Sequence, residues 1–327
     1  MLLFVHQTQY ALRNTHYGIR TTEYALGNTP TIPPMSKAAH LALPFRFGTV
    51  GTPTSTPKNG GSAGGVQRIR ELGLSALELA WVQSVRVSDE ACARIRAAAE
   101  QYDVALSVHA PYYINLNATP EMWAAGRERL LAAARAGAKA GATDVVFHPG
   151  AYMKSKPEAA YRTALERLSE VADALRKEKV NITLRPETMG KSAMLGTLEE
   201  TINWSREVEN VLPCVDFAHL HARAGDGSFN SYDEFVAALR LIASGLGERG
   251  LKQMHIHFSG IAYTAKGETH HLNLAEADIQ YKAFFKALAD VGAAGRVLCE
   301  TPNLEEDAVL MQTTYLRAFQ AAGRRAA

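Results

Sequence analysis

The stretch VVFHPGAY, residues 145–152, joins a short apolar run to a histidine and then stops with proline and glycine. Apolar residues closed by Pro149 and Gly150 predict a short buried strand that ends at His148. A lone histidine at a strand end is more often a hydrogen-bonded structural residue than a metal ligand. The same arrangement recurs along this chain, however, and the recurrence indicates both the fold and the chemistry.

The recurring feature is a short apolar run that alternates with a segment of helical spacing. Eight such runs occur, at residues 45–51, 76–82, 105–110, 144–150, 181–187, 212–219, 252–258 and 296–302. The segments between them carry helix start signals: Thr119 with Pro120, a capping box from Ser231 to Glu234, and a Ser cap before two acids at Ser88. This pattern predicts an α/β protein with a single (β/α)8 TIM barrel over residues 45–327. A doubly wound sheet is disfavoured because no G-x-G-x-x-G follows the first strand.

Composition narrows the class of protein further. The chain has 327 residues, of which 47% are hydrophobic, with a net charge of +2 that argues neither for nor against nucleic acid. Three cysteines without a C-x-x-C pair disfavour a disulfide framework, so we expect a cytoplasmic protein, and we interpret Cys214 and Cys299 as core residues. No apolar run approaches the roughly 20 residues of a membrane span. Residues 1–44 show no sustained apolar period and no signal-peptide pattern, so they are predicted to be a disordered extension.

Six consecutive predicted strands end on a side chain that can bind a metal. These residues are His109, His148, Glu187, Asp216 (followed by His219), His257 and Glu300. Successive members are 39, 39, 29, 41 and 43 positions apart, which is about one β/α unit each. Because the carboxyl ends of all barrel strands meet at one mouth, we expect the six side chains to converge there. Crowded imidazoles and carboxylates without a thiolate predict Zn²⁺, Mn²⁺ or Fe²⁺, and so many ligands require more than one ion.

Six motifs occur in order: SVHAPYYINL (107–116), FHPGAY (147–152), LRPET (184–188), VDFAHLHARAGD (215–226), HIHFSG (255–260) and LCETP (298–302). Together they resemble the endonuclease IV family of apurinic/apyrimidinic DNA repair enzymes, over about residues 45–322. The resemblance implies a zinc-dependent hydrolase that acts on double-stranded DNA in base excision repair. It would cleave the phosphodiester 5′ to an abasic site, leave a 3′-hydroxyl, and trim blocked 3′ ends. We expect a cytoplasmic, nucleoid-associated monomer.

The same resemblance implies a trinuclear zinc centre, with Mn²⁺ as an alternative at one site. His109, His148 and Glu187 would hold the first zinc. Glu187 would bridge to a second zinc, held also by Asp216, His257 and Glu300, and His219 would turn to a third. Glu187 and Glu300 are the carboxylates assigned to catalysis. Tyr112 matches a tyrosine that lines the family's pocket for the flipped abasic nucleotide, and Gln83 and Arg86 are candidates for contact with the base stack.

Two choices depart from the family's pattern or are ambiguous. His255 lies two residues before His257, and we choose His257 because it is nearer the strand end. In GETHHLNLAEADI (267–279), spacing from the acid selects His270, whereas the downstream Leu274 and Glu276 select His271; we choose His271 as the third-zinc ligand, with Glu268 beside it. His270 is then expected to be an exposed loop histidine. Thr188 stands where the family usually has asparagine.

The alternative hypothesis is that the protein is a sugar isomerase or epimerase with the same barrel fold. Such enzymes hold one divalent ion with Glu, Asp, His and Glu from consecutive strands, a set that Glu187, Asp216, His257 and Glu300 would satisfy. His109, His148 and His219 would then have no metal to bind. The surplus ligands therefore favour the endonuclease, and the metal content of the purified protein separates the two readings.

Overall fold

The apolar runs of the sequence form eight parallel barrel strands, and a computed structural model describes residues 43–326. The strands are β1 (Phe45–Val50), β2 (Ala76–Ala80), β3 (Ala105–His109), β4 (Asp144–Phe147), β5 (Thr183–Pro186), β6 (Cys214–Asp216), β7 (Met254–Phe258) and β10 (Gly295–Cys299). Their order is β5-β4-β3-β2-β1-β10-β7-β6, with all neighbours parallel. Isolated parallel bridges, Leu184 to Val211 and Glu187 to Cys214, bring β5 against β6 and nearly close the ring. The (β/α)8 prediction is confirmed, while most of the predicted N-terminal extension, residues 1–42, lies outside the described residues.

Helices follow the strands and surround the barrel. They are α1 (Gly61–Glu71), α2 (Asp89–Tyr102), α3 (Pro120–Ala140), α4 (Pro157–Lys177), α5 (Leu198–Glu207), α6 (Phe217–Arg223), α7 (Tyr232–Lys252), α8 (Tyr281–Val291) and α9 (Glu305–Ala326). Ser88 and Thr119 cap α2 and α3 as predicted, each accepting a backbone N–H of the first turn. Ser231 caps α7 by accepting the N–H of Glu234, and the carboxylate of Glu234 accepts from the N–H groups of Phe229 and Asn230. No described helix has the length and apolarity needed to cross a membrane.

The hairpin after β7 was not predicted from the sequence. After β7 the chain forms an antiparallel hairpin of β8 (Gly260–Thr264) and β9 (Gly267–Leu272) before it enters α8. A short 3-10 turn, Leu274–Glu276, links the hairpin to the following segment. The hairpin projects from the mouth end of β7 and carries Glu268 and the two adjacent histidines, His270 and His271. His270 therefore lies on a strand and not in a loop, although it is exposed as expected.

The outward faces of the strands pack against the helices through an aromatic core. Phe47 and Phe258 contact Phe285 of α8, and Phe47 also contacts Tyr315 of α9. All four rings are buried.

Gly48, on the inward side of β1, has no room for a side chain, because a Cβ there would lie 1.7 Å from the carbonyl oxygen of Ala76. The absence of a side chain lets β1 and β2 approach at this point.

The inward faces of the strands carry many polar side chains. Near the amino ends of the strands, Asp144 pairs with Arg185 at 2.6 Å and with Arg296 at 2.9 Å, and the guanidinium of Arg185 also donates to the carbonyl of Pro213. Because side chains alternate along a strand, the residues two or four positions later on the same strands face the same interior at the opposite end. Those residues include Glu187 and Glu300, so the fold directs the predicted ligands to the mouth.

Candidate metal centre

The first donor group lies at the ends of β3, β4 and β5. His109 Nε2 and His148 Nε2 each lie 3.4 Å from Oε2 of Glu187. His109 and Glu187 are buried, whereas the His148 side chain is about a quarter exposed at 23%. Donor atoms of the three residues all lie within 4.8 Å of one another, as ligands of one cation would. The structure therefore places these three predicted residues together.

A second group shares Glu187 with the first. It consists of Glu187, Asp216, His257 and Glu300, whose donor atoms again lie within 4.8 Å of one another. Nδ1 of His257 is 3.5 Å from Oε1 of Glu187 and 3.4 Å from Oε1 of Glu300. The ring of His257, and not that of His255, faces these carboxylates. Each oxygen of Glu187 thus faces a different set of donors, which suits a bridging carboxylate.

A third group combines the barrel with the hairpin. Asp216, His219 and His271 place donor atoms within 4.8 Å of one another, and Oε2 of Glu268 lies 3.5 Å from Nε2 of His219. His271 is half-buried, whereas His270 is exposed and contacts Thr269 Oγ1 at 3.2 Å. Of the two adjacent histidines, the structure therefore brings His271 to the cluster, with Glu268 at its edge.

Backbone carbonyls fix the orientation of three histidines. Nδ1 of His109 contacts the carbonyl of Ala110 at 2.8 Å, and Nδ1 of His271 contacts that of Glu300 at 3.0 Å. Nδ1 of His219 contacts the carbonyl of Thr188 at 3.0 Å. Since a carbonyl only accepts, these contacts place the proton on Nδ1 and leave the Nε2 lone pair for a metal.

Thr188 also joins β5 to β6 at this point. Its hydroxyl accepts from the backbone N–H of Asp216 at 2.9 Å and donates to the carbonyl of Asp216 at 3.1 Å. Oδ1 of Asp216 in turn accepts the backbone N–H of His219 at 2.8 Å, capping α6. Thr188, which stands where the endonuclease IV family usually has asparagine, therefore holds Asp216 and His219 in place.

The charges of the cluster require compensation. Burial raises the pKa of Asp216 to about 6, whereas for Glu300 the effect of burial is outweighed by His257, and the pKa falls to about 2. Burial also opposes ionisation of Glu187, but His257, His148 and His109 hold the pKa of that carboxyl well below its usual range. Both oxygens of Glu187, Oδ2 of Asp216 and Nδ1 of His257 are buried without a hydrogen-bond partner among the described residues. Buried polar atoms of this kind are costly unless paired, so the donor set fits divalent cations.

The sequence assigned no role in the site to a layer of residues beneath the mouth. It consists of Glu78, Ser107, Cys214 and His255, all buried. Cys214 was interpreted as a core residue, and it is buried, but a donor group formed with His255 and His257 also includes its thiol. The usable signal is strand alternation, since Ser107, Cys214 and His255 each stand two residues before a predicted ligand. Glu78 has no such neighbour in sequence.

The residues predicted to contact DNA lie at the rim. Tyr112 is 51% exposed and stacks on His148, with ring centroids 5.0 Å apart. It also lines a groove of about 480 Å³ together with Tyr113, Met122 and Arg129. Gln83 and Arg86 are exposed on the segment between β2 and α2. The structure thus places an aromatic side chain against the cluster, and leaves Gln83 and Arg86 on the surface.

Comparison with known proteins agrees with this description. The pattern of the xylose isomerase-like TIM barrel family matches residues 66–318. An uncharacterized protein of Methanocaldococcus jannaschii is 38% identical over 270 residues, which cover 82% of this chain and 96% of that protein. A probable endonuclease 4 of Geobacillus sp. is 32% identical over 211 residues, 61% of this chain and 67% of that protein.

Two kinds of solved structure share the barrel. A D-tagatose 3-epimerase-like protein superposes with a TM-score of 0.64 at 19% identity, over 86% of this chain and 100% of that one. Endonuclease IV from Thermus thermophilus superposes with a TM-score of 0.62 at 21% identity, over 86% of this chain and 99% of that one. At these identities the likeness concerns the fold.

The fold and the site define a class: TIM barrels whose mouth gathers histidines and carboxylates from successive strands. Within that class, the chain belongs to the xylose isomerase-like TIM barrel family, and its sequence is similar to proteins named endonuclease 4.

Proposed function

We propose that the protein is a zinc-dependent DNA repair endonuclease that cleaves the phosphodiester 5′ to abasic sites and leaves a 3′-hydroxyl. The observation that carries the proposal is the number of donors at the mouth. Three donor groups are linked by Glu187 and Asp216, and they include four histidines beyond the ring needed for a one-ion site: His109, His148, His219 and His271. A single cation leaves these imidazoles without a ligand role, whereas three cations use them all.

The residues present divide the work as follows. His109, His148 and Glu187 would hold one cation, Glu187, Asp216, His257 and Glu300 a second, and His219, His271 and Asp216 a third, with Glu268 at the edge. When bound, such cations supply Lewis acidity toward phosphate oxygens and a water of lowered pKa. Glu187 would be shared by the first two cations, and Glu300 would complete the second donor group. Tyr112 offers an exposed ring beside His148 on which an unpaired base can stack.

Similarity to the probable endonuclease 4 proteins supports DNA as the substrate. Damaged DNA, with abasic sites or blocked 3′ ends, is the proposed partner, and the enzyme would work on the nucleoid as a monomer. Gln83 and Arg86 are proposed to contact the duplex from the rim. Zn²⁺ is the proposed cofactor, with Mn²⁺ as an alternative at one site.

A test compares metal content with product. The purified protein, loaded with zinc and dialysed, is analysed for metal and then incubated with a duplex that carries one tetrahydrofuran abasic analogue. About three zinc per chain and a cut 5′ to the analogue, with a 3′ end that a polymerase extends, are the expected results. An undamaged duplex of the same sequence is the control and should stay intact.

A second candidate is a one-metal ketose epimerase, which the barrel of the D-tagatose 3-epimerase-like protein and the four-residue group at Glu187 favour. It predicts about one metal per chain, epimerisation of a panel of ketohexoses, and no incision. The metal count and both activities are measured on the same preparation. The endonuclease predicts about three metals per chain and incision, whereas the epimerase predicts about one metal and epimerisation.

A further inference from the structure

Directly beneath the mouth, three strands place a buried polar cluster at the centre of the barrel. Glu78 comes from β2, Ser107 from β3 and His255 from β7, and each side chain is essentially inaccessible to solvent. A buried carboxylate is retained only where donors or cations surround it. Its immediate neighbours therefore indicate what Glu78 does.

Each oxygen of Glu78 lies close to different side chains. Oε2 accepts from Ser107 Oγ at 2.7 Å and faces Nε2 of His255 at 2.9 Å in a hydrogen bond. Oε1 lies 3.0 Å from Nε2 of His257, close but not aligned as a hydrogen bond. The other nitrogen of His257, Nδ1, faces Glu187 and Glu300. One imidazole thus stands between a carboxylate below and the candidate metal ligands above.

We propose that Glu78 is a positioning residue that holds the proton of His257 on Nε2 and so presents the Nδ1 lone pair to the metal centre. In a neutral imidazole only one nitrogen carries the proton, so an acceptor at Nε2 decides which nitrogen can bind a cation. A carboxylate in this position also makes the ring a stronger ligand. The proposal rests on the metal centre of the proposed function, and not on DNA as the substrate.

His257 differs from three other histidines of the mouth in the partner that faces its second ring nitrogen. Nδ1 of His109, His219 and His271 each contacts a backbone carbonyl. Nε2 of His109 faces Glu187 at 3.4 Å and Nε2 of His219 faces Glu268 at 3.5 Å, although Nδ1 of His219 also lies 3.1 Å from Oε1 of Glu187. His257 is turned the other way round. Its Nε2 points into the barrel, where Glu78 supplies the acceptor that the backbone supplies elsewhere.

A competing explanation is a separate buried cation held by Cys214, His255 and His257, whose donor atoms lie within 4.8 Å of one another. Two contacts disfavour it. Nε2 of His255 is already bonded to Glu78 at 2.9 Å, and His257 would have to lose its ring proton to serve a cation on each side. The second explanation predicts an additional metal, which makes it testable.

The first experiment needs no mutation. Long-range ¹H–¹⁵N spectra of the zinc-loaded full chain, labelled at histidine nitrogens, report which ring nitrogen carries the proton. His257 is assigned from the signals lost in His257→Gln. A proton on Nε2 of His257 with Nδ1 coordinated is expected. A proton on Nδ1, or none on either nitrogen, overturns the proposal.

The second experiment uses a matched pair of variants. Glu78→Gln weakens an acceptor at His257, whereas Ser107→Ala removes a different contact of the same carboxylate. Titration with Co²⁺, followed by its visible absorption, should show Glu78→Gln binding about ten- to a hundredfold more weakly at one site with an altered spectrum. Ser107→Ala should keep the wild-type spectrum, and Glu78→Asp should recover part of the affinity.

Equal Co²⁺ affinity in wild type and Glu78→Gln overturns the proposal, as does the loss of one whole metal in Cys214→Ala. If Glu78→Gln does not fold, the histidine spectra of the wild type decide alone. The incision assay is independent. A wild type that shows the expected His257 tautomer yet leaves abasic DNA intact refutes the proposed function and retains the role of Glu78.

Discussion

Glu187 is the residue on which the proposed centre depends, because its two oxygens face different donor groups. Glu187→Gln keeps the volume of the side chain but removes its charge and one good ligand oxygen. We expect the incision rate to fall more than about tenfold and the metal content to drop, with the far-ultraviolet circular dichroism spectrum unchanged. Activity close to that of wild type would mean that Glu187 bridges no metals.

The adjacent histidines of the hairpin form a natural matched pair. On a strand, neighbouring side chains point to opposite faces, and here His271 turns toward Asp216 and His219 while His270 turns toward solvent. His271→Ala should lose about one metal per chain and most incision activity, whereas His270→Ala should leave both unchanged. Metal analysis and incision assays on the two variants check this, and the reverse pattern would assign the ligand to His270.

The candidate metal ligands could be predicted from the sequence, but the residues that position them could not. His109, His148 and Glu300 each end a recognisable apolar run, so barrel geometry alone sends them to the mouth. Glu78 lies inside the run ALELAWV and is 177 positions from its partner His255. Only the closed barrel brings the two together, so no local pattern could have revealed this contact.

At the scale of elements, the hairpin β8–β9 is held by the loop after β5. The backbone N–H of Glu268 donates to the carbonyl of Gly190 at 2.9 Å. Arg223 of α6 fixes the same loop by donating to the carbonyls of Met189, Lys191 and Met194 at 2.8 Å. Contact with this loop therefore helps to place Glu268 and the hairpin that carries His271, whereas Asp216 and His219 of the third donor group are placed by β6 and α6.

Gly190 gives a test of this coupling. A Cβ at that position would lie 2.7 Å from Oε2 of Glu268 and 3.0 Å from Cδ2 of His219. Gly190→Ala should therefore push the hairpin away and lower occupancy of the third metal, with the first two retained, as measured by metal analysis. Gly64→Ala is the control, because a Cβ there meets nothing closer than 3.7 Å, and its metal content should equal that of wild type.

The elements themselves were predictable where burial imposes a period. The eight barrel strands alternate with helices, some of which begin at a capping residue such as Ser88 or Thr119, and both signals are local. The hairpin escaped prediction because β9, with the sequence GETHHL, is polar and largely accessible, so it lacks the apolar alternation of a buried strand. Its pairing with β8 and its contact with Gly190 hold it instead.

At the scale of the whole molecule, polar clusters occupy both ends of the barrel and do different work. At the mouth, several buried carboxylate and imidazole atoms have no hydrogen-bond partner among the described residues. Atoms that bind a metal are expected to lack such a partner. At the other end, Asp144 is paired with Arg185 and Arg296 in contacts that are complete within the chain. In TIM barrels the carboxyl ends of the strands generally serve function and the amino ends serve stability. Here the donor atoms without partners lie at the carboxyl ends, and the complete ion pairs lie at the amino ends.

This division predicts that removal of the buried acid at the amino end of the barrel lowers stability and leaves the metal content unchanged. Asp144→Asn leaves two guanidinium groups without their buried counter-charge, which costs about 3–5 kcal/mol in the free energy of unfolding. Urea denaturation should show that loss, while metal content stays at the wild-type value. Asp173→Asn, in an exposed pair with Arg176, is the control and should change stability by less than about 1 kcal/mol.

The pH dependence of stability follows from the same carboxylate. Burial would raise the pKa of Asp144, but Arg185 and Arg296 hold it well below its usual range. A folded-state pKa below the unfolded value of about 4 gives a stabilisation that is complete above that pH and is lost as the pH falls. Between about pH 5 and pH 3 the wild type should therefore lose more stability than Asp144→Asn, which has no carboxylate at this position. Urea melts of both proteins with metal chelated, so that the mouth contributes equally, measure the difference. Parallel curves would show that the pKa of Asp144 is not lowered by folding and that the pair contributes no pH-dependent stabilisation.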